Sequence, residues 1–190
     1  MPTALEELAV QASTCVACRL SEHRTQVVFG MGDPAADLML VGEGPGAEED
    51  RQGLPFVGRS GQLLDRLLLE EMGRTRDSVF IANTVKCRPP GNRDPKPDEV
   101  ETCWGWLEQQ LDLIAPAVVI TLGNFASKRL LGTDVGITKL RGSAYPYRGG
   151  SLVATFHPAA ALRGGGAVLA QMRSDFVRAK LLLDGHGAGR

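Results

Sequence analysis

An α/β fold is what the sequence predicts, and three observations carry that prediction. Short apolar runs rich in β-branched residues recur along the chain, and amphipathic stretches separate them. The 190 residues are 43% hydrophobic, enough for one domain with a substantial core. Runs that are apolar throughout suit strands buried on both faces, as in a parallel sheet covered by helices. Taken in order, Thr3 and Glu6 match a capping box that opens a helix ending near Ala12. Leu38-Met39-Leu40-Val41 predicts a first buried strand. Ser60 is a candidate N-cap for a helix that carries Leu63, Leu64, Leu67 and Leu68 on one face and stops at Gly73. Val79-Phe80-Ile81-Ala82 predicts a second strand. The prolines of residues 88–97 then force a surface loop, before a helix that starts near Asp98 and carries Cys103, Trp106 and Leu107. A third strand is expected over residues 117–122, a short helix over 124–131 and a fourth strand over 152–155. Glycines 164–166 break the chain before a last helix from Ala167 to about Leu183. Residues 1–184 therefore read as one domain, and 185–190 as a disordered tail.

The formal net charge of -1 excludes a chain that is basic as a whole, so any nucleic-acid surface has to be a local patch. Residues 1–10 lack the basic flank and apolar run of a leader, and no stretch approaches the roughly 20 apolar residues of a spanning helix. A cytoplasmic protein without membrane contact is the expectation. In a reducing cytosol the four cysteines, Cys15, Cys18, Cys87 and Cys103, point away from disulfides and toward thiolate ligation. The Cys15-x-x-Cys18 pair offers two sulfurs to one centre, and two distant cysteines complete a tetrahedral ion site or a cubane cluster. Spacing leaves zinc and iron-sulfur both open.

Three unusual segments begin where expected strands stop: Gly42-Glu43-Gly44-Pro45-Gly46, Asn83, and His157-Pro158. Ligands of open parallel sheets bind outside the carboxyl ends of the strands, so these segments are candidates for one pocket. The glycine turn allows a close approach of backbone to ligand, and it matches neither the Walker pattern nor the dinucleotide fingerprint. Asn83 carries a planar amide that suits the edge of a planar ring. Pro158 keeps His157 out of helical geometry, where its imidazole can face a developing negative charge. Phe56 lies between Gly53 and Gly58 and is available to stack on a flat ligand. Each residue alone has a more ordinary structural explanation; their order along one chain is what carries weight.

That ordered set resembles a known family. Gly42-Glu43-Gly44-Pro45-Gly46-Ala47-Glu48-Glu49-Asp50, Gly53-x-Pro55-Phe56-Val57-Gly58, Asn83-Thr84-Val85-Lys86-Cys87-Arg88-Pro89-Pro90 and His157-Pro158-Ala159-Ala160 are similar to the motifs of the iron-sulfur uracil-DNA glycosylases of family 4. The likeness runs over about residues 15–178. It implies a three-layer α/β/α sandwich around a four-stranded, mainly parallel sheet, and a DNA repair enzyme that hydrolyses the N-glycosidic bond of deoxyuridine. It also implies a structural [4Fe-4S] cluster on the four cysteines and single- or double-stranded uracil-containing DNA as partner of a monomer. Glu43, Gly44, Pro45, Phe56, Asn83 and His157 would surround the uracil. Asn83 would read its N3-H and O4 edge, and His157 would donate to O2 as charge develops there. Related families carry an aspartate where this chain has Gly44, so Glu43 or Glu49 is left to orient water or stabilise the sugar cation. Lys86, Arg88, Arg93 and Lys96 would grip DNA, with Leu162 or Arg163 filling the space the base leaves. Two rivals stand beside this reading. One is a uracil-DNA-binding protein without turnover, although the loop at Asn92-Arg93-Asp94-Pro95 lacks the histidine of such relatives. The other is an iron-sulfur redox module.

Overall fold

The computed structural model describes residues 3–187. Its helices are α1 (Ala4–Ser13), α2 (Ala47–Gln52), α3 (Arg59–Leu67), α4 (Pro97–Ile114), α5 (Asn124–Leu131), α6 (Ile137–Leu140), α7 (Pro158–Gly164) and α8 (Gly166–Gly187). The strands are β1 (Met31–Gly32), β2 (Leu38–Gly42), β3 (Phe80–Asn83), β4 (Val118–Leu122), β5 (Ala144–Tyr147) and β6 (Gly150–Thr155). Thr3 caps α1 in the expected box with Glu6, whose carboxylate accepts the Thr3 backbone N–H at 2.6 Å.

The four core strands form the parallel centre β3-β2-β4-β6, each buried along most of its length. The sheet has six strands rather than four, because β1 and β5 add antiparallel edges. Neither edge announces itself as an apolar run: β1 is two residues long and β5 contains Pro146. Strand residues alternate between two cores, as the period of a strand requires. Leu38, Leu40, Ile81, Ile120 and Val153 face α3, α7 and α8, whereas Met39, Val41, Phe80, Val119 and Leu152 face α1, α4, α5 and α6. The result is the three-layer sandwich.

Local corrections concern helix ends. Gly58, not Ser60, occupies the N-cap of α3. The expected single helix to Gly73 continues from Leu67 into a π turn, Leu68–Met72, before Gly73 ends it with φ of 66°. The last helix runs through Gly187, past both Leu183 and the start of the expected tail; residues 188–190 lie outside the described part. No helix among the described residues is long and apolar enough to cross a membrane.

Candidate active site

Parallel strands deliver their carboxyl ends to one edge, and there β2, β3 and β6 release the glycine turn, Asn83 and His157. The β2 and β3 ends stay zipped past the sheet. Thr84 N donates to Gly42 O at 2.9 Å, Val85 N donates to Glu43 O at 3.1 Å, and the Thr84 hydroxyl also donates to Glu43 O. This holds the Glu43 turn beside Asn83. A cleft of about 690 Å³ opens there, lined by Glu43, Gly44, Pro45, Glu49, Phe56, Asn83, His157 and Arg163 among others.

Each wall has a physical cause. Phe56 adopts φ of 52°, an uncommon state for a bulky residue, and Arg76 holds it by donating to the carbonyls of Phe56 and Pro55 while pairing with Asp65 at 2.6 Å. Gly61 has to be glycine, since a Cβ there would lie 1.7 Å from the Phe56 carbonyl oxygen. Gly42 lies beneath both groups: a Cβ there would meet Asn83 Oδ1 at 2.5 Å and Phe56 Cζ at 2.6 Å, so ring and amide converge over bare backbone. The Phe56 and His157 ring centroids are 5.7 Å apart at a tilt of 31°. Asn83 is 2% exposed, and its Oδ1 has no hydrogen-bond partner. A buried carbonyl oxygen left unpaired costs about 1–3 kcal/mol, which points to an absent donor.

His157 is the N-cap of α7, and its Nδ1 accepts the Ala159 N–H at 3.1 Å. An Nδ1 that accepts leaves the proton of the neutral ring on Nε2. Burial, aided by the Arg163 charge and opposed by Glu49, pushes the imidazole pKa down to about 4. At neutral pH His157 is therefore an uncharged donor.

The two candidate carboxylates differ. Glu49 is tied to backbone: Oε1 accepts from Val57 N at 2.9 Å and Gly58 N at 3.1 Å, and Oε2 accepts from Gly46 N at 3.1 Å. It fastens the Phe56 loop to the glycine turn. Glu43 is half-buried, and burial first, then the neighbouring Asp94 carboxylate, raises its pKa to about 7. Gly44 cannot carry the aspartate of related families without movement, because a Cβ would come within 2.8 Å of Val85 Cγ2.

The expected DNA contacts separate into two groups. Lys96, Leu162 and Arg163 are exposed and Arg88 half-exposed, with its Nε donating to Asn92 Oδ1 at 2.7 Å. Arg93 lines the cleft, but its guanidinium is paired with Glu99 through two bonds of 2.7 and 2.8 Å. Lys86 does not belong to this set: at 1% exposure its ammonium reaches no solvent. Arg59, Ser60 and Pro95 also line the cleft, although the sequence offers Ser60 only as a helix cap and Pro95 only as a loop residue; a polar pair opening a helix just after the Phe56 loop was the available signal. Arg76 carried no local signal at all.

The four cysteines are free and line one small cavity together with Arg24, Lys86 and Trp106. Arg24 Nη1 donates to Cys87 Sγ at 3.3 Å and the Lys86 N–H donates to Cys103 Sγ at 3.2 Å, so both sulfurs are treated as acceptors. Burial pushes the Cys87 thiol up to about 11 and Cys103 upward as well. Among the described residues no three such ligands stand close enough to hold a single metal ion. The four sulfurs are soft donors gathered around one small cavity.

The family model described as the uracil DNA glycosylase superfamily matches residues 29–179. The chain belongs to the uracil DNA glycosylase superfamily. Among its relatives, the type-4 uracil-DNA glycosylase of Thermotoga maritima is 45% identical, with 84% of this chain and 83% of the relative covered. The type-4 enzyme of Sulfurisphaera tokodaii is 44% identical (83% and 76% covered), and that of Saccharolobus solfataricus 42% (83% and 77%). Asn83, Phe56 and His157 all open onto the one cleft.

Proposed function

We propose that this uracil-DNA glycosylase draws deoxyuridine out of DNA into the cleft, hydrolyses its N-glycosidic bond and releases uracil, leaving an abasic site. The observation that carries the reading is the buried, partnerless Asn83 Oδ1 facing a pocket shared with the Phe56 ring and the His157 donor. Extrusion costs a few kcal/mol, and stacking on Phe56 returns about 1–3 kcal/mol. Asn83 Oδ1 accepts the uracil N3-H while its amide nitrogen donates to O4; cytosine presents a bare ring nitrogen and an amino group there, leaving mismatched groups buried. Thymine shares the uracil edge and is refused at C5 by the turn from Glu43 to Glu49.

As the bond breaks, negative charge gathers on uracil O2 and positive charge on the sugar. His157 Nε2–H donates to O2 without giving up its proton, and such a donor is worth about 100-fold or more in rate. Glu43 orients the attacking water or stabilises the cation, because Glu49 is spent on three backbone amides. Lys96, Arg88 and Arg163 grip phosphates, and Leu162 or Arg163 fills the vacated stack. Cys15, Cys18, Cys87 and Cys103 hold a [4Fe-4S] cluster, which staples the α1–Cys15 end to α4 and takes no part in a hydrolysis that moves no electrons. The reading includes action as a monomer in the cytoplasm on single- or double-stranded DNA.

The test is an oligonucleotide bearing one uracil, treated with enzyme and then alkali. Strand scission by wild type and its loss in N83A and H157A is the expected result. A complex that survives denaturant with no abasic product would instead establish binding without turnover.

A further inference from the structure

Lys86 is among the largest fully buried side chains of the described residues and serves none of the roles assigned above. A buried lysine is costly unless its donors are used, and an aliphatic residue would fill the same space at lower cost. Its donors join two elements. Nζ donates to the main-chain carbonyl of Asn83 at 2.9 Å and to Gln110 Oε1 at 2.5 Å, while the Lys86 backbone N–H donates to Cys103 Sγ at 3.2 Å. Gln110 is itself wholly buried and donates Nε2 to Phe29 O at 2.9 Å, which fixes its carbonyl oxygen toward Lys86. Gln110 and Cys103 both belong to α4 and lie two helical turns apart on one face.

The geometry points to Lys86 as a positioning residue that fixes the end of β3, and with it the Asn83 carboxamide, against the cysteine-bearing helix α4. The inference rests on the reading of Asn83 as the group that reads uracil. Asn83 Oδ1 has no partner of its own, so the aim of that atom depends on how firmly the backbone beneath it is held. The bond from Lys86 is to that backbone. Lysine suits the task because three donors on a flexible stem can span a strand-end carbonyl and a helix side chain together. The same short segment carries Cys87, so the cysteine cavity and the uracil pocket share one strut: order at α4 passes through Gln110 and Lys86 to Asn83. A misplacement of about 1 Å at such a site is enough to cost up to 100-fold.

The experiment measures inhibition by free uracil, the KM and kcat for a uracil oligonucleotide, and the iron content and visible absorbance of purified K86M, Q110L, K86M/Q110L and N83A. K86M nearly keeps the volume of the side chain and removes both Nζ hydrogen bonds. The expected result is an inhibition constant and KM raised about tenfold, with kcat changed less and the metal content of wild type. Q110L leaves the Lys86–Asn83 bond and cuts the tie to α4, so it shifts uracil inhibition the same way, and the double variant is no worse than K86M alone. A lower melting temperature with unchanged uracil inhibition in folded K86M overturns the assignment. If K86M does not fold, wild-type inhibition in Q110L overturns it equally. N83A separates the layers: loss of uracil inhibition in N83A with none in K86M refutes the role of Lys86 alone, whereas full inhibition in N83A refutes the Asn83 reading beneath it.

Discussion

Replacing Glu49 by glutamine separates an anchor from a catalyst. The carboxylate accepts three backbone N–H groups, two on Oε1 and one on Oε2. A glutamine has one acceptor oxygen. With that oxygen on Val57 and Gly58, the amide nitrogen faces the Gly46 N–H; turned over, it faces two donors. The better orientation still loses one hydrogen bond to a charged acceptor, about 1.5–3 kcal/mol. In a chain of this size each kcal/mol moves the melting temperature by roughly 2–4 °C, so E49Q is expected to melt about 3–12 °C lower. The Phe56 loop is what the lost bonds held, so KM should rise severalfold while single-turnover kcat stays within about threefold of wild type. E43Q is expected to do the reverse: a near-normal melting temperature and a kcat lower by about 100-fold or more. Calorimetry and a gel assay of uracil release measure both. An E49Q that melts and binds like wild type but has lost kcat would refute this division of labour.

Four other outcomes follow from the site. The Glu43 pKa of about 7 means that activity should climb as pH rises through 7 and the carboxylate forms, and that the limb should vanish in E43Q; a wild-type profile flat from pH 5 to 9 contradicts it. His157 is held to about 4, below its unfolded value near 6.5, so the unfolded chain takes the proton first. Its contribution to stability is complete above about pH 6.5 and is lost as pH falls toward 4; in H157N that part of the acid loss, followed by denaturant melts, should be absent. G42A pushes a methyl into Asn83 Oδ1 and the Phe56 ring and should abolish inhibition by free uracil while leaving the metal content intact. K96A and R163A should each reduce the slope of log affinity against log salt by about 1, and unchanged slopes would remove both from the DNA surface.

The parts of this molecule legible in the sequence are those whose cause is local. Four apolar runs name the parallel strands, and the residues that follow three of them name one rim of the cleft, because strand direction alone decides where those residues emerge. Edge strands escape such reading. β1 is too short to have a pattern, and β5, exposed along one side and interrupted by Pro146, pairs with β6 through its neighbour's demand for a partner. Lys86 was misjudged because lysine is ordinarily a surface residue, and nothing in Val85-Lys86-Cys87 reveals that Asn83 O and Gln110 wait inside. The anchoring of Glu49 depends on amides eight and nine residues away that meet it only once the Phe56 loop has folded back. Arg76 is the extreme case, joining Asp65 and the Pro55 and Phe56 carbonyls across the fold with no spacing to betray it.

The most direct measurement is a crystal structure of the protein soaked with free uracil. The base should lie against the Phe56 ring, with N3-H on Asn83 Oδ1 and O2 within hydrogen-bond distance of His157 Nε2. Uracil bound elsewhere, or in this cleft with Asn83 Oδ1 still without a donor, would contradict the account.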